Sequence, residues 1–130
     1  MYEAITENIK VCVTPQFIEE QSIPDESYFF WAYTVEIYNL GALQVQVRSR
    51  FWSITDLTGY TEEIEGPGIV GQEPWIQPSE SFVYTSGAPL YTPSGMMVGH
   101  YMVQSSKGDF LKVDIPPFSL DSPYGKRILN

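Results

Sequence analysis

The sequence predicts an all-β fold, an antiparallel sandwich of immunoglobulin or fibronectin III type with about seven strands. Three observations support this class. Apolar and polar residues alternate with period two, no segment keeps helical apolar spacing over three turns, and turn-forming residues separate the alternating stretches. The same pattern leaves two alternatives open, a partly closed barrel and a jelly roll.

The first two predicted strands show the alternation most clearly. Ile9, Val11 and Val13 share one face of the first strand. The second strand carries five apolar residues on one face: Phe29, Trp31, Tyr33, Val35 and Ile37. Because successive side chains of a strand point to opposite sides, we expect these two faces to lie in the core.

The third predicted strand changes its apolar parity midway. Val45 and Val47 begin one face, and the alternation then moves to Trp52 and Ile54. A slip of one residue turns every following side chain to the other side of a sheet. We therefore expect a β-bulge between residues 49 and 51.

Shorter alternating stretches predict four further strands, at residues 61–65, 81–86, 96–104 and 110–115. Glycines, prolines and asparagines form turn signals between them. The tail, residues 116–130, is rich in proline, so we expect it to be extended and to lie on the body of the domain. Phe118 and Leu120 are expected to anchor this tail.

Length and composition fit a single domain over residues 1–130. Hydrophobic residues make up 43% of the chain and aromatic residues 15%, which is enough apolar material for one ordinary core. The chain shows no internal repeat and no low-complexity linker. No apolar run approaches the roughly 20 residues of a membrane helix, and no signal peptide is visible, so we expect no membrane insertion.

The charge balance is strongly acidic, with a formal net charge of −9. Such a field repels nucleic-acid phosphates, so no nucleic-acid partner is expected. The acidity either keeps the domain soluble or forms a face that meets a basic partner or cations. The basic residues are scattered, although Arg48 and Arg50 would share one face of the third strand. The single cysteine, Cys12, permits no intramolecular disulfide, and we expect a cytoplasmic protein.

One motif resembles a nucleotide-binding fingerprint, the G-x-G-x-x-G run at residues 66–71. A dinucleotide site needs a helix directly after the glycines, and Pro74 and Pro78 would break such a helix. The motif therefore predicts a glycine-rich loop between strands. Because its backbone could still form an anion nest, a nucleotide-pyrophosphate binder is retained as the third functional hypothesis.

Metal ligands and nucleophiles have few candidates. Cys12 and His100 lie on separate predicted strands, so a tight zinc or cobalt site within one monomer is not expected. Oxygen ligands for weak Mg²⁺ or Co²⁺ binding could come from four carboxylates around one predicted hairpin: Asp56, Glu62, Glu63 and Glu65. The same carboxylates could simply be solvated. No nucleophile elbow is present, so we predict no enzyme activity, no catalytic residues and no cofactor.

Six runs of residues are specific in combination. They are Trp52-Ser53-Ile54-Thr55-Asp56, Glu63-Ile64-Glu65-Gly66-Pro67-Gly68-Ile69-Val70-Gly71, Tyr84-Thr85-Ser86-Gly87, Thr92-Pro93-Ser94-Gly95-Met96, Gly99-His100-Tyr101 and Ile115-Pro116-Pro117-Phe118-Ser119-Leu120. Together they resemble the ApaG family over nearly the whole chain. Members often have histidine at the position of Phe51, so this chain lacks one side chain that could bind a metal there.

The resemblance implies a fibronectin III-like β-sandwich, in agreement with the alternation pattern. Bacterial members of the family are associated by name with cobalt and magnesium resistance or efflux. Related domains are appended to eukaryotic F-box and polymerase-interacting proteins, which implies a protein-binding module. The resemblance brings no catalytic residues to this chain.

Our leading functional hypothesis is a non-enzymatic interaction module, a monomer or weak dimer that binds an unknown protein partner. Its candidate surface is the loop from residue 65 to residue 75, with the candidate residues Gly66, Gly68, Ile69, Val70, Gly71 and Trp75. We expect Ile69 and Val70 to be exposed. Trp75 is either an exposed binding residue or a plug in the core. Weak divalent-cation binding is the second hypothesis.

Overall fold

Two antiparallel sheets packed face to face form the structure, a computed structural model that describes residues 1–124. Within this range the strands are β1 Tyr2–Thr6, β2 Ile9–Phe17, β3 Phe29–Asn39, β4 Val45–Asp56, β5 Thr61–Pro67, β6 Trp75–Ile76, β7 Ser81–Leu90, β8 Ser94–Ser105 and β9 Phe110–Asp121. The first sheet has the order β1-β2-β3-β7. The second has the order β5-β4-β8-β9, with β6 also paired to β4. The predicted antiparallel sandwich is confirmed.

Two of these strands, β1 and β6, were not predicted. β1 pairs with β2 through a tight turn at Glu7 and Asn8, whose φ angles are 41° and 70°. Asparagine tolerates such positive φ angles, so Asn8 is a hairpin signal that the alternation pattern does not show. β6 has two residues, which is too short for any alternation. The connection from β2 to β3 adds two single-turn 3-10 helices, and no helix among the described residues could cross a membrane.

The predicted core faces of β2 and β3 are confirmed. All five alternating residues of β3 are buried, and so are Ile9, Val11 and Val13 in β2. Aromatic rings connect the two sheets, because Tyr33 of β3 lies 5.1 Å from the ring of Trp52 in β4. Period-two alternation places these side chains between the sheets and leaves the intervening ones facing outward.

A bulge in β4 decides which face the following residues occupy. The register between β4 and β8 shifts between Val47 and Ser49, so Arg48 is the extra residue. The change of parity is therefore confirmed, although it falls slightly before the predicted position between residues 49 and 51. As a consequence Arg50 has the same parity as buried Trp52 and points toward the inside of the sandwich.

The predicted end of the last strand at residue 115 is wrong, because β9 continues to Asp121, although residues 116–121 are extended and packed on the domain as expected. Phe118 and Leu120 are buried, as expected, but they are strand residues paired with β8. Pro116 and Pro117 are accommodated where the β8–β9 register shifts, since a bulge removes the need for a ladder hydrogen bond. The end of the predicted tail, residues 125–130, lies outside the described part of the chain.

The two long sides of the sandwich differ in how closely the edges of the two sheets approach each other. On one side β1 and β2 contact β9, which brings the two sheets together. On the other side, within residues 1–124, β5 and β7 are edge strands that each pair with one neighbour. The connection between β5 and β6 lies on this second side, above a cavity between the sheets.

Candidate functional site

The glycine-rich run is the tip of a hairpin between β5 and β6. The Ile69 amide donates to the Gln72 carbonyl at 2.7 Å, and the Gln72 amide donates back to the Ile69 carbonyl at 2.9 Å. The two residues between them, Val70 and Gly71, have φ angles of 43° and 79°. Two positive φ angles at the centre of a two-residue loop are the pattern of a type I′ turn. The predicted loop between strands is confirmed.

Each glycine of the run has a structural reason. A Cβ atom on Gly68 would lie 2.0 Å from the Gln72 carbonyl oxygen, and the φ angle of Gly68 is +58°. Gly71 has open space around it but a φ angle of +79°. A Cβ on Gly66 would lie 3.1 Å from the Arg50 guanidinium. The motif therefore serves a tight turn and a close contact with Arg50.

Several backbone amides of the loop already donate within the protein. The Gly68 amide donates to the Arg48 carbonyl at 2.8 Å, and the amides of Ile69 and Gln72 donate to each other's carbonyls. Glu73 carries negative charge at the same place, in an ion pair of 2.7 Å with Arg48. An anion nest needs several free amides pointing at one ligand, and this hairpin uses most of those near Gly68 internally.

The apolar residues of the candidate loop differ in exposure. Ile69 is 1% exposed and belongs to the core, so the expectation that it is exposed is wrong. Val70 is 61% exposed at the tip of the hairpin, as predicted. Trp75 is 52% exposed, which makes it a surface residue and not a plug in the core.

Trp75 lies on the outer face of the second sheet. Its neighbour Ile76 pairs with Val45, and both of these side chains are buried. Trp75 pairs with Gln46, and alternation turns both of these residues outward. The outer position of Trp75 separates it from Val70, which lies beside the cavity between the sheets.

Five other apolar side chains lie on the same outer side of this sheet as Trp75. We name the whole set the outer apolar face: Phe51, Trp75, Met96, Val98, Met102 and Phe110. Met96, Val98 and Phe110 are 50%, 42% and 62% exposed. The Phe51 ring stacks on His100, with 5.1 Å between ring centroids. Sequence reasoning missed this face, although β8 is apolar on both of its parities, a pattern that signals a second covered or binding surface.

The four candidate cation ligands do not converge. The Asp56 carboxylate accepts from the Thr58 hydroxyl at 2.6 Å and from the Thr58 and Tyr60 amides, which lowers the pKa of Asp56. Glu63 and Glu65 share the outer face, as expected, and Glu62 points the other way. Across residues 1–124 no three His, Cys, Asp or Glu side chains form a group that could hold a metal. Weak cation binding here stays a prediction.

His100 and Cys12 lie on different sheets. Partial desolvation and, to a smaller extent, the nearby charge of Lys112 lower the pKa of His100, which favours the neutral form of its imidazole. Burial raises the pKa of the Cys12 thiol, whose Sγ lies 3.7 Å from Glu3 Oε2. A buried thiol with a raised pKa is a poor nucleophile at neutral pH.

A cavity of about 90 Å³ lies between the sheets beneath the hairpin. It is lined by Tyr33, Arg50, Trp52, Ile69, Val70, Tyr84 and Ser86. The Arg50 Nη1 atom donates to the carbonyls of Pro67 at 2.9 Å and Gly68 at 3.1 Å. The expectation that Arg48 and Arg50 share a face is wrong, because the bulge at Arg48 turns the two side chains apart.

Tyrosine hydroxyl groups form the polar part of this cavity and its surroundings. The hydroxyls of Tyr84 and Tyr101 are hydrogen-bonded to each other across the two sheets. Ser86 interacts with the Tyr33 hydroxyl and acts to lower the pKa of Tyr33. Burial raises the pKa of all three tyrosines, while the positive charge of Arg50 opposes this shift. Arg50 is therefore directed at a cluster of neutral hydroxyl groups.

Comparisons with known proteins agree on one family. The sequence model of the ApaG domain family matches residues 19–105 of this chain. The chain is 53% identical to Protein ApaG of Beijerinckia indica and 50% identical to Protein ApaG of Parvibaculum lavamentivorans, in both cases over the full length of both chains. A crystal structure of the putative ApaA protein from Bordetella pertussis superposes with a TM-score of 0.86 at 44% identity, covering 88% of this chain and 94% of that one.

Proposed function

The chain belongs to the ApaG domain family, and from this we propose that it is a non-enzymatic interaction module that binds another protein through its outer apolar face. The observation that supports the proposal most is the exposure of Trp75 on the same sheet face as Val98 and Phe110. Single exposed apolar residues are normal, but several on one sheet face indicate a binding surface.

The centre and border of this face have different chemistry. Phe51 lies in a row of cross-strand neighbours that runs from Glu65 through Phe51 and His100 to Asp114. The two ends of the row are acidic, and its middle is aromatic. Charges at a border mainly accelerate and orient association, whereas a central aromatic side chain contributes most of the affinity. Lys112 also lies on this face, but Glu63, Glu65 and Asp114 outnumber it, so we expect a partner with an apolar centre and a mainly basic border.

The chemistry of the described residues favours binding over catalysis. His100 is occupied by stacking on Phe51, and Cys12 lies on the other sheet with a raised pKa. No observation in residues 1–124 favours the two alternatives, weak divalent-cation binding and nucleotide-pyrophosphate binding. A partner would be met in the cytoplasm, where a free thiol such as Cys12 stays reduced.

Photo-crosslinking followed by quantitative binding tests the proposal. A photoreactive phenylalanine at position 75 should capture the partner for identification by mass spectrometry. With that partner purified, Trp75→Ser should weaken binding by about tenfold or more, as expected when a large exposed aromatic side chain is removed from a binding surface. Added salt should weaken the binding further by screening the acidic border.

The matched control is Val83→Ser. Val83 is 53% exposed, like Trp75, but it lies in β7 of the first sheet. The proposal requires Val83→Ser to leave affinity unchanged. Equal loss in both variants, or no loss in either with normal folding, would exclude the outer apolar face as the binding surface.

A further inference from the structure

Arg50 places a cation on the inner side of the sandwich. Its parity, set by the bulge at Arg48, is that of the buried residues Trp52 and Ile54. Arg50 is half-buried, so its cation is partly removed from water and gains from hydrogen bonds or from an anionic partner. Among residues 1–124, no carboxylate forms an ion pair with Arg50. The neighbouring Arg48, in contrast, is paired with Glu73.

The hydrogen bonds of Arg50 are incomplete. The Nη1 atom uses both of its protons, on the carbonyls of Pro67 and Gly68. Among residues 1–124 the Nε and Nη2 atoms have no protein acceptor, and they are not among the fully buried polar atoms. These two atoms form one edge of the guanidinium group, with two parallel N–H donors. This edge matches the two oxygens of a single carboxylate.

The cavity beside Arg50 has room for such a group. Its volume of about 90 Å³ is several times the roughly 10–15 Å³ that one water molecule needs. Tyr33, Tyr84 and Ser86 add hydroxyl groups to its lining, and Trp52 and Ile69 add apolar surface. Val70, which also lines the cavity, is 61% exposed, so the cavity reaches the surface at the hairpin tip.

We propose that this cavity binds a monocarboxylate group, held by the free edge of Arg50 and by the hydroxyl groups around it. The apolar lining receives the carbon atoms next to the carboxylate. A doubly charged phosphate fits less well, because the chain has a net charge of −9 and Arg50 is the one cation of the lining. The site is distinct from the outer apolar face, which lies on the opposite side of the second sheet.

Two sources could supply the carboxylate, a small free acid or the end of a peptide chain. Both present the same planar group to Arg50. A C-terminal residue would in addition place its own backbone against the hairpin tip at Val70. Peptide probes with and without a free terminal carboxylate distinguish the two sources.

The test is an NMR titration of the full chain with sodium propionate, with sodium chloride at the same ionic strength as the control. The side-chain Nε–H signal of Arg50 and the amide signals of Ile69 and Val70 should shift and saturate, while the Nε–H signal of Arg48 should not move. Arg50→Lys keeps the charge but removes the fork, so affinity should fall about tenfold or more. Arg48→Lys is the matched control and should bind as the unchanged chain does.

The outcomes are separable even if Arg50→Lys unfolds the hairpin, because the Arg50 Nε–H signal reports on the unmodified chain. Binding of the tripeptide Gly-Gly-Phe but not of its C-terminal amide would support the site and assign a peptide terminus. Binding of propionate with exclusion of the tripeptide would support the site and assign a small acid. An Arg50 signal that responds equally to chloride, or tighter binding of inorganic phosphate than of propionate, would overturn the proposal.

Discussion

Neighbouring residues of the glycine-rich run have opposite environments. Ile69 is buried and Val70 is exposed, although the sequence presents them as one apolar pair. The hairpin pairs Ile69 with Gln72, and this pairing directs the Ile69 side chain into the core. Val70 occupies a left-handed position of the turn with a φ angle of 43°, which is unfavourable for a β-branched residue.

Serine substitutions should separate the two residues. We expect Ile69→Ser to lower the free energy of unfolding by about 3 kcal/mol, because it removes a buried side chain and buries a hydroxyl. Val70→Ser should change it by no more than about 0.5 kcal/mol, because the side chain is exposed. Urea denaturation followed by tryptophan fluorescence measures both. Equal effects of the two substitutions would contradict the orientation of the hairpin.

At the scale of the element, the hairpin explains the glycine motif without a ligand. The run continues β5, turns at Val70 and Gly71, and returns toward β6. Arg50 closes the base of the hairpin from inside the sandwich by donating to two of its carbonyls. The glycines are therefore required by sterics and by φ angles, at Gly68 most of all.

Alanine substitutions should rank the glycines by this geometry. At Gly68 both the left-handed φ and the contact with the Gln72 carbonyl oppose a Cβ atom, so we expect Gly68→Ala to cost about 3 kcal/mol or more of unfolding free energy. Gly71→Ala meets only the φ penalty and should cost about 1 kcal/mol. Chemical denaturation provides both values. If Gly71→Ala proves the more damaging change, the turn is not the one described.

At the scale of the whole molecule, the two sheets are joined by a pair of buried hydroxyl groups. Tyr84 belongs to β7 of the first sheet and Tyr101 to β8 of the second. Burial raises the pKa of both tyrosines above the value of 10.0 for an exposed tyrosine. Below pH 10 both tyrosines are protonated in the folded and in the unfolded chain. As the pH rises further, the unfolded chain releases the two hydroxyl protons first, so the free energy of unfolding falls.

Alkaline denaturation should reveal this pair. Relative to the double variant Tyr84→Phe/Tyr101→Phe, the unmodified chain should lose about 2 kcal/mol more unfolding free energy between about pH 9 and pH 11. At pH 7 the double variant should be nearly as stable, because both hydrogen-bond partners are removed together. Tyr60→Phe, at an exposed tyrosine, is the control and should follow the unmodified chain. Parallel pH profiles for all three proteins would show that the buried pair does not govern alkaline stability.

The candidate site was predicted only in part. The sequence predicts the glycine-rich loop between strands, because Pro74 excludes a following helix. It does not determine the exposure of Trp75, because a tryptophan at a short strand fits a core or a surface equally well. The outer apolar face was missed, since it joins residues from four strands that are far apart in the chain.

The sequence by itself determined the sandwich class and the core faces of β2 and β3, because period-two alternation is a local property that burial on one face imposes. Pairing partners, the place of the bulge and the directions of Arg50 and Ile69 were decided only by the tertiary structure. Strand register moves a side chain from one face to the other with a one-residue shift. The bulge at Arg48 changes which residues face inward, so the alternation of the sequence before the bulge does not show that Arg50 faces inward. The shift of one residue at this bulge places Arg50 beside the cavity.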